Sequence, residues 1–341
     1  MIYFNCDYMA AAHPDVLKAL CKTNLIKSVG YGFDSFTSDA RSAVLKACGL
    51  EDGEVFFLQG GTQTNKTVID RLLSRNDGVL CCESGHINVH EAGAIESDGH
   101  KVIPLPGKEG KLEAYEVERY MKEFICDETN EHMVRPAMVY ISHPTEFGTL
   151  YTRKELEVLS EVCGRFGLPV YLDGARLAYG LAAEFTDVTL HDIAMLVDVF
   201  YIGGTKCGAM FGEAVVTRRK NLLPRFISLM KLHGALLAKG RLPAVQFLAL
   251  FTDNLYYRIG RHADMLAAKL RSGFLAKGYR TLIDSPTNQQ FFILPNHVID
   301  RLSENIGFEL WGPRGDKESA VRFVTDWATT EEDVASLIKL L

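Results

Sequence analysis

DVFYIGGTKCGAMFGEAVV (residues 198–216) passes from an apolar run through Gly203 and Gly204 to a single lysine, Lys206, and then becomes apolar again. A short apolar run that ends in glycines is typical of a buried strand. Because an ammonium group is strongly hydrated, burying it is costly. Two interpretations are open at this point: Lys206 points into solvent, or it lies in a pocket as a nucleophile.

Around this stretch, apolar runs alternate with amphipathic stretches of helix length. The predicted strands are 54–60, 78–83, 101–106, 135–142, 169–174, 198–204 and 213–219, and the predicted helices among them are 63–75, 89–99 and 152–166. Such alternation predicts an α/β fold with a mostly parallel sheet flanked by helices. The last two strands are close enough in sequence to pair directly.

The pattern changes after about residue 243. A long helical pattern over 244–278 is followed by predicted strands at 289–295, 307–312 and 319–327 and by a closing helix with a Thr cap. These features predict a smaller α+β domain. We therefore expect an N-terminal segment (1–15) near the active site, a large cofactor-binding domain (16–242) and a small C-terminal domain (243–341).

The composition excludes several classes of protein. The chain of 341 residues is 47% hydrophobic and 23% charged, and its net charge of −6 comes without a basic block. Nucleic-acid binding and membrane binding are therefore not expected, and no apolar run approaches the ~20 residues that span a bilayer. The eight scattered cysteines contain no CxxC pair and the N-terminus does not resemble a signal peptide, so we expect a cytoplasmic protein with reduced thiols.

Polar groups follow several predicted strands, at the sheet edge where open α/β folds bind ligands. After 54–60, the segment Gly60-Gly61-Thr62-Gln63 opens a helix, so it is either a phosphate site or a tight turn. It matches neither a Walker loop nor GxGxxG.

Two histidines and an aspartate follow three other strands. His86 and His143 can each contact a planar ligand or serve as structural histidines. Asp173 ends a buried strand and needs a partner. It can bind a metal, pair with a protonated ring nitrogen, or form an ion pair with Arg176. No metal is expected, because no further carboxylates or histidines cluster nearby in the sequence.

These features fit one cofactor when they are taken together. The interval between Asp173 and Lys206 leaves room for one helix and one strand, so both can reach the same sheet edge. A lysine for the aldehyde, an anion for the ring nitrogen, a stacking histidine and backbone donors for a phosphate are the groups that pyridoxal 5'-phosphate (PLP) requires.

The sequence resembles the PLP-dependent fold-type-I enzymes of the low-specificity threonine aldolase and β-eliminating lyase group, over nearly its whole length. The segments that carry the resemblance are NCDYMAAAHPDVLKAL (5–20), VGYGFDSFTSDAR (29–41), GGTQTN (60–65), SGHINVHEAGA (84–94), ISHPTEFGTLY (141–151), YLDGAR (171–176), GGTKCGAMFGE (203–213) and AVRFVTDW (320–327). The family's glutamate before the histidine of the ISHPTEFGTLY segment is missing, and the basic stretch 230–241 is longer than its counterpart.

The resemblance implies roles for particular residues. It implies cofactor binding by Gly60, Gly61, Thr62, Gln63, His86, Asp173, Arg176, Lys206 and Lys231. It implies substrate binding by Cys6, Asp7, Tyr31, Arg176 and Arg322, and catalysis by Lys206, Asp173 and either His86 or His143 as the base.

The reaction implied is the reversible cleavage of L-threonine or L-allo-threonine to glycine and acetaldehyde. The resemblance also implies a homodimer or homotetramer in which Tyr31 reaches the cofactor of a neighbouring subunit. Three alternatives stay open: β-elimination or transamination on the same scaffold, a nucleotide-binding regulatory protein that uses the segment 58–65, and a non-catalytic scaffold.

Overall fold

Seven strands form the central sheet of the computed structural model, which describes residues 1–341. The strands of the chain are β1 (Ile2–Tyr3), β2 (Glu54–Leu58), β3 (Asp77–Cys82), β4 (Lys101–Leu105), β5 (Arg135–Ser142), β6 (Val170–Asp173), β7 (Val199–Gly203), β8 (Glu213–Thr217), β9 (Arg280–Thr281), β10 (Gln289–Pro295), β11 (Ile306–Gly307), β12 (Glu309–Leu310) and β13 (Glu318–Val324). The central order is β2-β8-β7-β6-β5-β3-β4. Only the two pairings of β8 are antiparallel, so the predicted mostly parallel sheet is confirmed.

Thirteen helices surround the strands. They are α1 (Pro14–Thr23), α2 (Ser35–Cys48), α3 (Gly61–Leu72), α4 (His86–Val89), α5 (Ala114–Cys126), α6 (Arg153–Phe166), α7 (Leu177–Ala182), α8 (Leu190–Leu196), α9 (Phe226–Leu232), α10 (Arg241–Leu250), α11 (Leu255–Ala276), α12 (Asn296–Ser303) and α13 (Glu331–Leu340). The Thr cap predicted for the closing helix is present: Thr330 and Asp333 form a capping box at the start of α13. No helix in the chain has the length and apolar character to cross a membrane.

The central sheet is buried on both faces, which explains its continuous apolar strands. In β7, Phe200 and Ile202 join one core cluster, whereas Val199 and Tyr201 join another on the opposite face. This alternation is the period of two that a strand imposes on its side chains. Each fully buried large apolar side chain contributes about 1.5–3 kcal/mol to folding, so the two clusters fix the strand ends that carry the polar groups.

A second, four-stranded sheet has the order β12-β13-β10-β9 and its own core. Phe4 joins this core, and β1 pairs in parallel with β11, so the N-terminus is anchored next to the second sheet. The division of the chain at residues 15 and 242 stays a prediction. The core of the central sheet includes side chains of α10 and of the first half of α11, as far as Ala263.

Three predicted elements are wrong in their extent. The helix predicted over 89–99 is reduced to α4 and a short 3-10 turn, because Ala92 and Gly93 adopt positive φ angles of 52° and 73°. The long helical pattern after residue 243 is two helices, separated where Asp253 and Asn254 adopt positive φ. The strand predicted over 307–312 is two short pieces, β11 and β12.

Candidate active site

A cavity of about 330 Å³ lies at the carboxyl ends of the central strands, where the sequence predicts the ligand site. The predicted residues on its wall are Gly61, Thr62, His86, Asp173, Arg176 and Lys206. The structure adds Tyr8, Asn65, His90, Ser142, Pro144, Thr145, Glu146, Ala175, Tyr201, Thr205 and Glu213 to that wall. The strand-end aspartate and lysine therefore share one pocket, as the interval between them predicts.

Asp173 is held as a buried carboxylate by four donors. One oxygen accepts from Tyr201 Oη at 2.5 Å and from the Ala175 N–H at 2.9 Å, and the other accepts from Tyr140 Oη at 2.7 Å and Asn65 Nδ2 at 2.9 Å. Burial opposes its ionisation, but nearby His86 and these hydrogen bonds keep the pKa of Asp173 below its ordinary value. An ionised carboxylate in this position suits a cationic ring nitrogen.

Lys206 follows β7 on a turn that the sheet holds firmly. The Gly204 N–H donates to the Gly212 carbonyl at 3.0 Å, and Tyr179 Oη donates to the Lys206 carbonyl at 2.5 Å. Burial and, after it, the charge of Arg176 lower the pKa of Lys206. A lower pKa increases the fraction of neutral amine, which is the nucleophilic form. Of the two interpretations of this lysine, the structure supports the pocket.

The N-terminus of α3 supplies free backbone donors to the same cavity. The first bond within this helix runs from the Thr64 N–H to the Gly60 carbonyl at 2.9 Å, so the amides of Gly61, Thr62 and Gln63 precede it. Such amides, with the positive end of the helix dipole, suit a phosphate. The Gln63 side chain turns away, because its Nε2 donates to the His233 carbonyl at 3.4 Å.

His86 is oriented by a chain of hydrogen bonds that leads back to Asp173. Its Nδ1 lies 2.8 Å from Glu91 Oε1, which also accepts from Asn65 Nδ2 at 2.7 Å. Its side chain is 33% exposed. Since Glu91 takes up Nδ1, Nε2 is the nitrogen left for a ligand. Asn65 and Glu91 were not predicted as site residues, although both lie inside the segments quoted for the resemblance.

The structure does not bring His143 to the cavity. Its side chain is completely buried, Nδ1 accepts from the Tyr151 N–H at 3.3 Å, and Nε2 has no partner. Burial lowers the pKa of His143 to about 4. The neighbouring Glu146 lines the cavity instead, and its Oε1 accepts from Ser142 Oγ at 2.7 Å and from the His86 N–H at 2.9 Å. Burial raises the pKa of Glu146.

Arg176 forms an ion pair, but its partner is Asp7 and not Asp173. Its Nε and Nη2 donate to the two carboxylate oxygens of Asp7 at 2.7 and 3.0 Å, and Asn288 Nδ2 donates to the same carboxylate at 2.9 Å. Asp7 and the half-buried Cys6 are absent from the cavity wall. Asp7 therefore orients Arg176.

Arg322 lies outside the lining of this cavity. Its guanidinium donates to Gln289 Oε1 at 3.0 Å and to Glu309, and its centre lies 5.0 Å from the Trp311 ring. Burial and the charge of Arg176 lower the pKa of Arg322. The positive charge of Arg176 is therefore close enough to act on the guanidinium of Arg322.

Tyr31 and Lys231 lie together but away from this cavity. Lys231 Nζ is 4.9 Å from the centre of the Tyr31 ring, and neither residue lines the pocket of its own chain. Apolar residues close to Tyr31 in the sequence are exposed: Leu25 is 91% exposed and Phe33 is 66% exposed.

The residues present fit PLP. Lys206 suits its aldehyde, ionised Asp173 its ring nitrogen and the amides of α3 its phosphate. At Gly61 a Cβ would come within 3.2 Å of Tyr201 Oη, so glycine keeps that wall open. Fold and site together define a fold-type-I PLP-dependent enzyme.

Comparison with known proteins gives the family. The chain belongs to the β-eliminating lyase family, whose model matches residues 4–296. It is 28% identical to the low specificity L-threonine aldolase of Pseudomonas sp. (strain NCIMB 10558), over 98% of this chain and 95% of that protein.

One solved structure supports the same assignment, and a more distant one shares the fold. The structure of the Leishmania major threonine aldolase is 40% identical, with a TM-score of 0.96, over 100% of this chain and 98% of that chain. A Thermus thermophilus aspartate aminotransferase, 15% identical over 100% of this chain and 90% of that one, shares the fold with a TM-score of 0.72.

Proposed function

We propose that the protein is a PLP-dependent aldolase that cleaves L-threonine and L-allo-threonine to glycine and acetaldehyde. The observation that carries the proposal is half-buried Lys206, with a lowered pKa, on the wall of the cavity that also holds ionised Asp173. The near full-length similarity to proteins named as threonine aldolases supports this substrate class.

The bound cofactor supplies an electron-accepting ring that stabilises negative charge on the substrate's Cα. Asp173 maintains a negative charge where the ring nitrogen must stay protonated, because its hydrogen bonds come only from neutral donors. Lys206 provides the amine that attaches the cofactor.

The substrate carboxylate is assigned to Arg176, with Arg322 as its neighbour. Arg176 is presented on the cavity wall by its two bonds to Asp7. A guanidinium held in this way can bind a second carboxylate in a fixed orientation through its remaining N–H groups. Fixing the carboxylate orients the Cα–Cβ bond relative to the cofactor ring, and this orientation selects the bond that breaks.

The base that removes the β-hydroxyl proton is assigned to His86, or to a water that it positions. His86 lines the cavity and its Nδ1 is fixed by Glu91, which leaves Nε2 to accept a proton. His143, the other predicted base, is completely buried against Tyr151, so it does not support this role.

The reaction is tested by incubating purified enzyme and PLP with L-threonine or L-allo-threonine. Acetaldehyde and glycine in equal amounts are expected, and His86→Asn is expected to lose roughly a hundredfold or more in kcat. Release of ammonia and an oxo acid without acetaldehyde would identify a β-eliminating lyase instead.

We also propose that the active enzyme is a homodimer or homotetramer in which Tyr31 and Lys231 serve a neighbouring subunit's cofactor. Their separation from the pocket of their own chain and the exposed apolar residues near Tyr31 in the sequence support this arrangement. A cytoplasmic location is proposed as well, supported by eight cysteines that are all free.

A further inference from the structure

Glu213 is a buried acid in the cofactor cavity with no assigned role. It is the first residue of β8, where it pairs with Leu58 of β2 and Gly203 of β7. Only 3% of the residue is exposed, and it lines the same cavity as Lys206. The Gly204 N–H is shared between the Gly212 carbonyl and Glu213 Oε2, each at 3.0 Å. Glu213 therefore contacts the turn that carries the lysine.

Glu213 lies beside the strand that leads to the proposed phosphate site. Its β2 partner, Leu58, is three residues before Gly61, where the free amides of α3 begin. Gly61, Thr62 and Thr205 line the same cavity as Glu213. Because a phosphate carries negative charge, an ionised carboxylate in this position would repel it, whereas a protonated one can donate a hydrogen bond.

The surroundings of Glu213 favour the protonated form. Burial raises the pKa of Glu213 to about 8, although the Thr205 hydroxyl, the Gly204 amide and the Lys206 charge favour ionisation. No lysine or arginine forms an ion pair with it. The titratable groups that its charge influences are Asp173, Tyr171, Tyr201, Lys206, Cys207 and Tyr256.

We propose that Glu213 serves as a neutral carboxylic acid that positions the Gly204–Lys206 turn and faces the cofactor phosphate, so that its ionisation weakens cofactor binding. The same enzyme then holds PLP tightly near neutral pH and releases it more readily in alkaline solution. This inference rests on the proposed function only through the identity of the cofactor.

The test measures the dissociation constant of PLP for the apoenzyme between about pH 7 and pH 9. One-proton linkage predicts that the wild-type constant rises about tenfold more than that of Glu213→Gln over this range, because the amide stays neutral. Glu161→Gln, a change at an exposed glutamate of α6, is the matched control and should follow wild type. Equal slopes for wild type and Glu213→Gln would overturn the proposal.

A second measurement needs no variant. Pyridoxal lacks the phosphate, so its affinity for the wild-type apoenzyme should fall much less between these pH values than that of PLP. An equal fall for both ligands would contradict a carboxyl that faces the phosphate. Failure of the wild type to bind PLP near pH 7 would instead contradict the cofactor assignment itself, so the two failures are distinguishable.

Discussion

At the residue scale, the charge of Asp173 is the feature on which the chemistry depends. Four neutral donors bond to its two oxygens, so the carboxylate stays ionised although it is buried. The aspartate is predictable from the sequence because it ends a buried strand. The donors Tyr201, Tyr140 and Asn65 are not predictable from the sequence, because they reach Asp173 only through the packing of neighbouring strands and α3.

Asp173→Asn should therefore bind PLP but lose activity. The amide fills the same space without the charge, so the ring nitrogen loses the partner that keeps it protonated. We expect kcat for threonine cleavage to fall roughly a hundredfold or more, with a shifted absorption band of the bound cofactor. Asp316→Asn, a change at an exposed aspartate outside the cavity, is the control. Unchanged kcat and spectrum in Asp173→Asn would contradict this role.

His143 shows how a residue-level prediction fails for a physical reason. Side chains alternate along a strand, and Tyr140 and Ser142 of β5 face the site. The next residue, His143, must face the opposite side, where it packs against Tyr151. The sequence motif predicts a histidine near the end of β5. Which face of the sheet the histidine lies on depends on the alternation of side chains along the strand.

The burial of His143 predicts a pH dependence of stability. Because its pKa is about 4 in the folded protein and 6.5 is the ordinary value, the unfolded chain binds the extra proton between these pH values. Stability falls as the pH is lowered through this window, by about 3 kcal/mol at most from this group. Denaturant unfolding near pH 5 and near pH 7.5 should show a smaller loss in His143→Asn than in wild type. Equal losses of stability would argue against a neutral buried imidazole. As His143 lies outside the cavity, the kcat of His143→Asn should stay within about tenfold of wild type.

At the scale of elements, most strands of the central sheet were predictable because burial on both faces makes them continuous apolar runs. Two of the mispredicted elements are broken by backbone conformation. Ala92, Gly93, Asp253 and Asn254 adopt positive φ. Glycine, aspartate and asparagine tolerate this conformation and give only a weak sequence signal for a break, whereas Ala92 is held in a conformation that alanine disfavours.

The start of α3 offers a matched pair of substitutions. A Cβ at Gly61 would lie 3.2 Å from Tyr201 Oη, whereas a Cβ at Gly60 would meet nothing within 4 Å. Gly61→Ala should displace the tyrosine that donates to Asp173, and the PLP dissociation constant should rise by roughly three- to tenfold. Gly60→Ala should stay close to wild type in the same titration. The opposite order of effects would mean that Gly61 does not keep the cavity wall open beside Tyr201.

At the scale of the whole molecule, the resemblance implies an active site to which two subunits contribute residues. A single chain contains only one subunit's share of that site. Tyr31 and Lys231 contact each other outside the lining of their own chain's cavity. Sequence patterns within one chain carry little information about whether a residue contributes to its own subunit's site or to a neighbour's. That depends on how the subunits pack against each other.

Mixing two inactive variants tests this arrangement. Tyr31→Ala and Lys206→Ala should each be inactive or nearly so. If Tyr31 serves the neighbouring subunit, half of the sites in each mixed dimer combine an intact lysine with an intact tyrosine, and random mixing should restore about a quarter of wild-type activity. No recovery, although mass spectrometry shows mixed oligomers, would place Tyr31 in its own chain's site.

Covalent trapping of the cofactor tests the central claim most directly. Wild-type enzyme is loaded with PLP, reduced with borohydride, digested and mapped by mass spectrometry. An amine of lowered pKa on the cavity wall predicts that the pyridoxyl phosphate mass is carried by Lys206 alone, and that Lys206→Ala remains unlabelled while still folded. A label on another lysine, or none on PLP-treated wild type, would contradict the account.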